Sequence, residues 1–184
     1  MPKSTPESVL RHVFKGCRDN SQSKVEKWVA NPLFDAERTN DGVWSDSENR
    51  ILHNVTPLHI ACKYWGDKTV KLLLEAGADS NAKGSTGATP LMFCAFFDNI
   101  KAMKLLIQHG VDLNAVNDDG FTALTMAAID GRIDCIKLLV SAGADVDIAT
   151  NEGMTAYQYA IKWKETEAAL LLNESSWRQT VKKV

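Results

Sequence analysis

The chain has 184 residues, 45% of them hydrophobic, and a formal net charge of −2. It is long enough to bury one sizeable core, and its charge argues against a general nucleic-acid or anionic-membrane binder. No apolar run approaches the ~18 residues of a membrane span, and the N-terminal MPKSTPESVLRHV is too polar for a secretory leader.

Residues 1–35 read as two short helices. Thr5 and Pro6 start the first, Glu7 suits its first turn, and Val9, Leu10, Val13 and Phe14 give it an apolar face. A break follows from Gly16 to Ser23, and Val25, Trp28 and Val29 then mark a second helix that Asn31 and Pro32 end. Residues 36–55 form an enlarged loop: Asp35 and Thr56 lie 21 positions apart, whereas Asp79–Thr89, Asp112–Thr122 and Asp145–Thr155 are each separated by 10. The loop carries Trp44, Ile51 and Leu52 among polar residues, and Trp44 either meets a partner or covers the edge of the scaffold.

From Thr56 onward the chain repeats itself. Thr56, Thr89, Thr122 and Thr155 are spaced by 33, as are Gly77, Gly110 and Gly143, then Asp79, Asp112 and Asp145, and Gly87, Gly120 and Gly153. Independent landmarks sharing one period define an internal repeat. In the first unit Thr56 caps a helix, and Pro57 fits its first position, where a missing N–H costs nothing. Leu58, Ala61 and Cys62 fall at helical spacing, and Gly66 and Asp67 interrupt. Val70, Leu72 and Leu73 carry a second apolar face, and Gly77 takes the left-handed C-terminal position. The polar, glycine-bearing stretch from Asp79 to Ala88 reads as a hairpin loop. The next units repeat this plan, and Leu105, Leu106, Leu138 and Leu139 are expected in one continuous core.

The TPLH of Thr56–His59, the LLLEAGAD of Leu72–Asp79 and the DSNA of Asp79–Ala82, repeated as TPLMFCA…LLIQHGVDLNA and TALTMAA…LLVSAGADVDI, resemble the ankyrin repeat. The match covers about residues 56–172. The resemblance implies an all-α solenoid of helix–turn–helix units with β-hairpin finger loops, about five repeats including divergent ends. On that frame, residues 1–172 form a single domain. It comprises a divergent N-terminal repeat (1–35), the enlarged finger loop (36–55), regular repeats at 56–88, 89–121 and 122–154, and a C-terminal capping repeat at 155–172, with a tail at 173–184. In the family the concave face binds other proteins, so a protein partner is implied, without saying which.

Catalytic chemistry finds no support. His59 and Cys62 lie three apart on one helix, but the equivalents of His59 are Met92, Thr125 and Gln158, and in the family this histidine has a structural hydrogen-bonding role. Cys17, Cys62, Cys94 and Cys135 are dispersed, which reads as reduced, buried thiols in a cytoplasmic or nuclear protein without disulfide, metal or cofactor. The GSTG at Gly84–Gly87 lacks the Lys-Ser/Thr of a phosphate-binding loop. Asn81 and Asn114 resemble asparagines hydroxylated in some ankyrin proteins; the plainer reading is an asparagine bonded to its own turn.

The predicted binding surface is a row. The eighth residue after each repeat threonine is Tyr64, Phe97, Asp130 or Trp163, which in an ankyrin stack ends the first helix beside the concave groove. Trp65 and Phe96 sit beside the row, and Phe96 is expected to be more buried than Phe97. Phe121 and Met154 extend the surface toward the fingers, and the acidic tips at Asp118 and Asp119 suit a basic partner. These rings either anchor a partner or pack between units. The function so predicted is non-enzymatic: a protein-binding scaffold, monomeric alone, acting as an adaptor or stoichiometric inhibitor through the groove and fingers. The alternative is an effector or enzyme-associated protein whose specific activity lies in residues 1–50 and the long loop.

Overall fold

The computed structural model describes residues 11–13, 15–17, 19, 21–31, 44–45, 51–52, 55–64, 66–84 and 86–173. Residues 11–13 and 15–17 are helical. They are followed by α1 (Gln22–Val29) and by a ribbon of β1 (Trp44–Ser45) and β2 (Ile51–Leu52). Four helix pairs come next: α2 (Pro57–Lys63) with α3 (Asp67–Glu75), α4 (Pro90–Phe96) with α5 (Ile100–Gln108), α6 (Ala123–Ile129) with α7 (Ile133–Ser141), and α8 (Ala156–Lys162) with α9 (Thr166–Leu172). The ribbon is antiparallel, Trp44 opposite Leu52 and Ser45 opposite Ile51, and falls inside the loop read as enlarged.

Local chemistry starts and stops the helices. Each repeat threonine has an extended backbone and immediately precedes a seven-residue helix. The Thr122 hydroxyl accepts from the Thr125 N–H at 3.1 Å, using one of the donors a helix start leaves free. The second helices end on Gly77, Gly110 and Gly143, all at positive φ. There the Gly77 N–H donates to Leu74 O and the Ala78 N–H to Leu73 O, both at 3.0 Å, closing the last turn.

Two layers result. The first helices α2, α4, α6 and α8 stack in order on one side, the second helices α3, α5, α7 and α9 on the other, and α1 packs on α3. Close approach within the first layer is possible because Ala61, Cys94, Ala127 and Ala160, one period apart, are small and fully buried. One cluster of buried side chains runs from Val13 to Leu172. Its periodic members are Leu73, Leu106 and Leu139, which have no solvent exposure, and Leu172 at 4%. Leu72, Leu105 and Leu138 are only half-buried, which corrects the expectation that both leucines of each pair are core. Adjacent helical residues point about 100° apart, so an inward face set by Val70, Leu73 and Leu74 leaves Leu72 at its edge.

The fingers form a ladder of their own. Each closes with a backbone bond, from Gly84 to Ala88 O at 2.9 Å, Asn117 to Phe121 O at 3.0 Å and Thr150 to Met154 O at 3.0 Å. Successive tips are joined, the Asp118 N–H donating to Thr86 O and the Asn151 N–H to Asp119 O, both at 3.0 Å. This contact is tight enough to require glycine: a Cβ built at Gly120, where φ is +81°, would sit 2.8 Å from Asn151 N.

Candidate functional site

The four residues of the predicted row each close a first helix as its C-terminal cap, but their environments differ. Tyr64 is half-buried, and its hydroxyl is buried without a hydrogen-bond partner. The Lys63 ammonium lies 5.2 Å from the centre of the Tyr64 ring and 5.0 Å from that of Phe97, a cation held over two aromatic faces. Phe97 is half-buried against Phe93 and Phe96, with ring centres 6.0 and 4.9 Å away. Asp130 is exposed, and Trp163 is 57% exposed. Trp65 and the side chain of Trp44 lie outside the described residues.

Phe96 reverses its expectation. It is 46% exposed while Phe97 is the more covered of the two. The cause is placement: Phe97 lies four residues after Phe93, on the same helical face, and Lys63 of the preceding unit folds over it. Phe96 points between units and forms a ridge with a depression on either side.

The depression on the N-terminal side, about 200 Å³, is walled by Ala88, Met92, Phe93, Phe97 and Met126, with the buried Lys63 also in its lining. The one on the C-terminal side, about 260 Å³, is walled by Asn117, Asp119, Phe121, Met126, Ile129 and Asp130. First helices supply most of both linings and the finger residues Asn117, Asp119 and Phe121 join the second, so together these are a groove along the first helices that reaches the fingers. The fold thus brings Phe96, Phe97, Phe121, Asp119 and Asp130 together. Trp163 lines neither depression, and Met154 is half-buried at the base of the last finger. Asp118 is exposed but sits over the preceding finger, its carboxylate where a Cβ at Gly87 would be.

Sequence reasoning missed Lys63, Phe93, Met126 and Ile129 as groove residues. Phe93 and Met126 were accessible to it, since they stand four before Phe97 and Asp130 and therefore share their helix face. Lys63 gave no such signal, because its position depends on the next unit.

The asparagines also differ from expectation. Asn81 and Asn114 are exposed, but their side-chain carbonyls accept from the next finger, at 2.9 Å from Asp112 N and 2.8 Å from Asp145 N. Their own turns are bonded instead by Asp79 and Asp112, whose carboxylates accept from Asn81 N at 2.8 Å and Asn114 N at 2.9 Å. Because Asp79 and Asp112 already accept those turn N–H groups, the asparagine side chains are left to bridge units.

His59 and the cysteines are held inside the fold. Thr56 N–H, which can only donate, points at His59 Nδ1 at 3.1 Å, so the ring proton is on Nε2 and donates to Ala88 O at 3.0 Å. Burial, opposed only in part by the bond to Ala88, lowers the His59 pKa to about 4. The same place is filled by Gln158, whose Oε1 accepts from Thr155 N at 2.8 Å. All four cysteines are free and buried. Burial pushes the Cys135 thiol up to about 12, with Asp98 alongside, and also raises Cys17 and Cys94 well above the usual thiol value, with Cys62 beside both. A thiol held protonated is a poor nucleophile. Among the described residues no three potential ligands converge on a metal position, and no helix is long and apolar enough to cross a membrane. Residues 1–50, where the alternative function would reside, lie mostly outside the described residues.

A family model described as ankyrin repeats (3 copies) matches residues 25–117 and 91–182. No curated protein matches the chain.

Proposed function

The chain belongs to the ankyrin-repeat family, whose repeats are generally protein–protein interaction modules, and on that premise we propose that it is a non-enzymatic scaffold that binds one partner protein through the groove that runs along its first helices and reaches its fingers. The observation that carries this reading is the exposure of the Phe96 ring, 46%, in that groove, with Trp163, which caps the last of the first helices, 57% exposed. A stacked array has no packing need for such rings in solvent, and aromatic side chains are the usual anchors of interfaces. Tyr64 and Phe97, half-buried helix ends of the same row, are taken as part of this surface. In this reading the protein is an adaptor or a stoichiometric inhibitor in the cytoplasm or nucleus, where free buried thiols stay reduced. Residues 1–172 act as one domain, with 1–35 as an atypical end repeat and 173–184 as a C-terminal tail.

Capture from cell lysate with the full chain tests this, comparing wild type with a Phe96→Ala/Trp163→Ala variant. A single protein retained in fixed proportion by the wild type and lost by a variant of unchanged melting temperature supports it. Equal capture by both moves the site to the outer helices or the finger tips.

A further inference from the structure

The two depressions beside Phe96 differ in charge, and the difference specifies what fits across them. The N-terminal one offers only carbon and sulfur surface apart from Lys63, whose ammonium already occupies the faces of Tyr64 and Phe97. It suits an apolar side chain, because the positions over its rings that would attract a cation are filled from within. The C-terminal one is different. Asp119 from the finger and Asp130 from the end of α6 both line it, both are exposed, and neither is ion-paired with any lysine or arginine of the described residues. Met126, Ile129 and the rings of Phe96 and Phe121 share that lining with the two carboxylates. An apolar lining that also carries two carboxylates is what an arginine or lysine needs, with a stem to bury and a charged head to pair.

We infer that the groove recognises a segment of a partner protein in which an apolar side chain stands beside a basic one. The apolar side chain enters between Phe93 and Phe97, and the basic one lies over Ile129 with its head between Asp119 and Asp130. Phe96 and Met126 belong to both linings, so the depressions are immediate neighbours. The two partner side chains therefore point the same way from a short stretch, two residues apart if it is extended and three or four if it is helical. This inference rests on the groove reading above and adds to it the chemistry of the occupant. Phe96 is the divider that sets which side chain goes where.

The test is selection from a random-sequence peptide library displayed on phage against the full chain, followed by titration of the enriched peptide. The expected consensus pairs an apolar residue with Lys or Arg. Neutralising the acidic wall with Asp119→Asn/Asp130→Asn should weaken that peptide about tenfold or more and remove most of its salt dependence. Replacing the peptide's basic residue by Met should weaken wild-type binding by a similar factor yet change binding to the Asn variant little. Both carboxylates are exposed, and circular dichroism checks that the variant keeps its helices. Acidic or wholly apolar selected peptides, recovery of none above background, or an Asn variant that binds as the wild type does would each overturn the inference. Should the Asn variant be silent while Phe96→Ala weakens binding, the groove reading survives and only the occupant's chemistry is wrong. Silence of both removes the two together.

Discussion

Leu138 and Leu139 are identical neighbours on α7, yet only Leu139 is fully buried, and that contrast gives a direct test of the helix register. Leu139→Ala removes three carbons from a site with no solvent exposure. At roughly 0.8 kcal/mol per buried CH2, transfer alone amounts to about 2.4 kcal/mol. The space vacated lies where α7 meets α5, α6 and α9, which are themselves fixed by their neighbours, so it remains largely a cavity. With a cavity term added, the loss should be about 3–4 kcal/mol, inside the range for buried leucine truncations. Leu138 is half-buried, so its transfer contribution falls to about 1.2 kcal/mol and truncation leaves an open notch. Urea denaturation of both full-length variants, followed by far-ultraviolet circular dichroism, measures the difference. Repeat arrays lose weakened units separately, so hydrogen exchange of α7–α9 should accompany it, with protection falling first in Leu139→Ala. A Leu138→Ala variant as destabilised as Leu139→Ala would refute the assignment of inner and outer faces on which the groove depends.

His59 makes stability depend on pH. Its pKa is about 4 when folded against an ordinary ~6.5, so as pH falls the unfolded chain takes up the proton first. The stabilisation by the neutral ring is complete above pH ~6.5 and lost between there and about 4, at most about 3 kcal/mol. His59→Gln, copying Gln158, should flatten melting temperature against pH across that window; an unchanged slope would show the titration lies elsewhere. Gly120→Ala forces a side chain onto Asn151 N at positive φ, whereas Gly153 has no neighbour within 4 Å, so the two should separate in thermal melts. The former should lose more than about 2 kcal/mol and the latter about 1, and equal losses would mean the fingers do not touch. Lys164 holds φ +64° at the position occupied by Gly131 one period earlier. Lys164→Gly should therefore stabilise by about 1 kcal/mol, and a lower melting temperature would contradict the strain.

The sequence by itself determined the repeat and the beginning and end of every regular unit. Those features are local: whether Thr122 caps a helix or Gly77 closes one depends on atoms within a turn of the backbone, and a period of 33 copies the solution from unit to unit. The aromatic row was legible for the same reason, since counting from a threonine fixes position along a helix. The tertiary structure decided everything that crosses from one unit to the next. Leu139 rather than Leu138 faces inward because α5 and α9 lie on that side of α7. Phe97 rather than Phe96 is covered because Lys63 of the preceding unit folds over it, and Asn81 bonds forward because Asp112 is brought alongside by stacking. Asp119 and Asp130 likewise face a common space only because a finger and a helix end are folded together. Repetition fixes where along a unit a residue sits; what it touches is set by the angle and distance at which the next unit packs, and no single unit's sequence contains those.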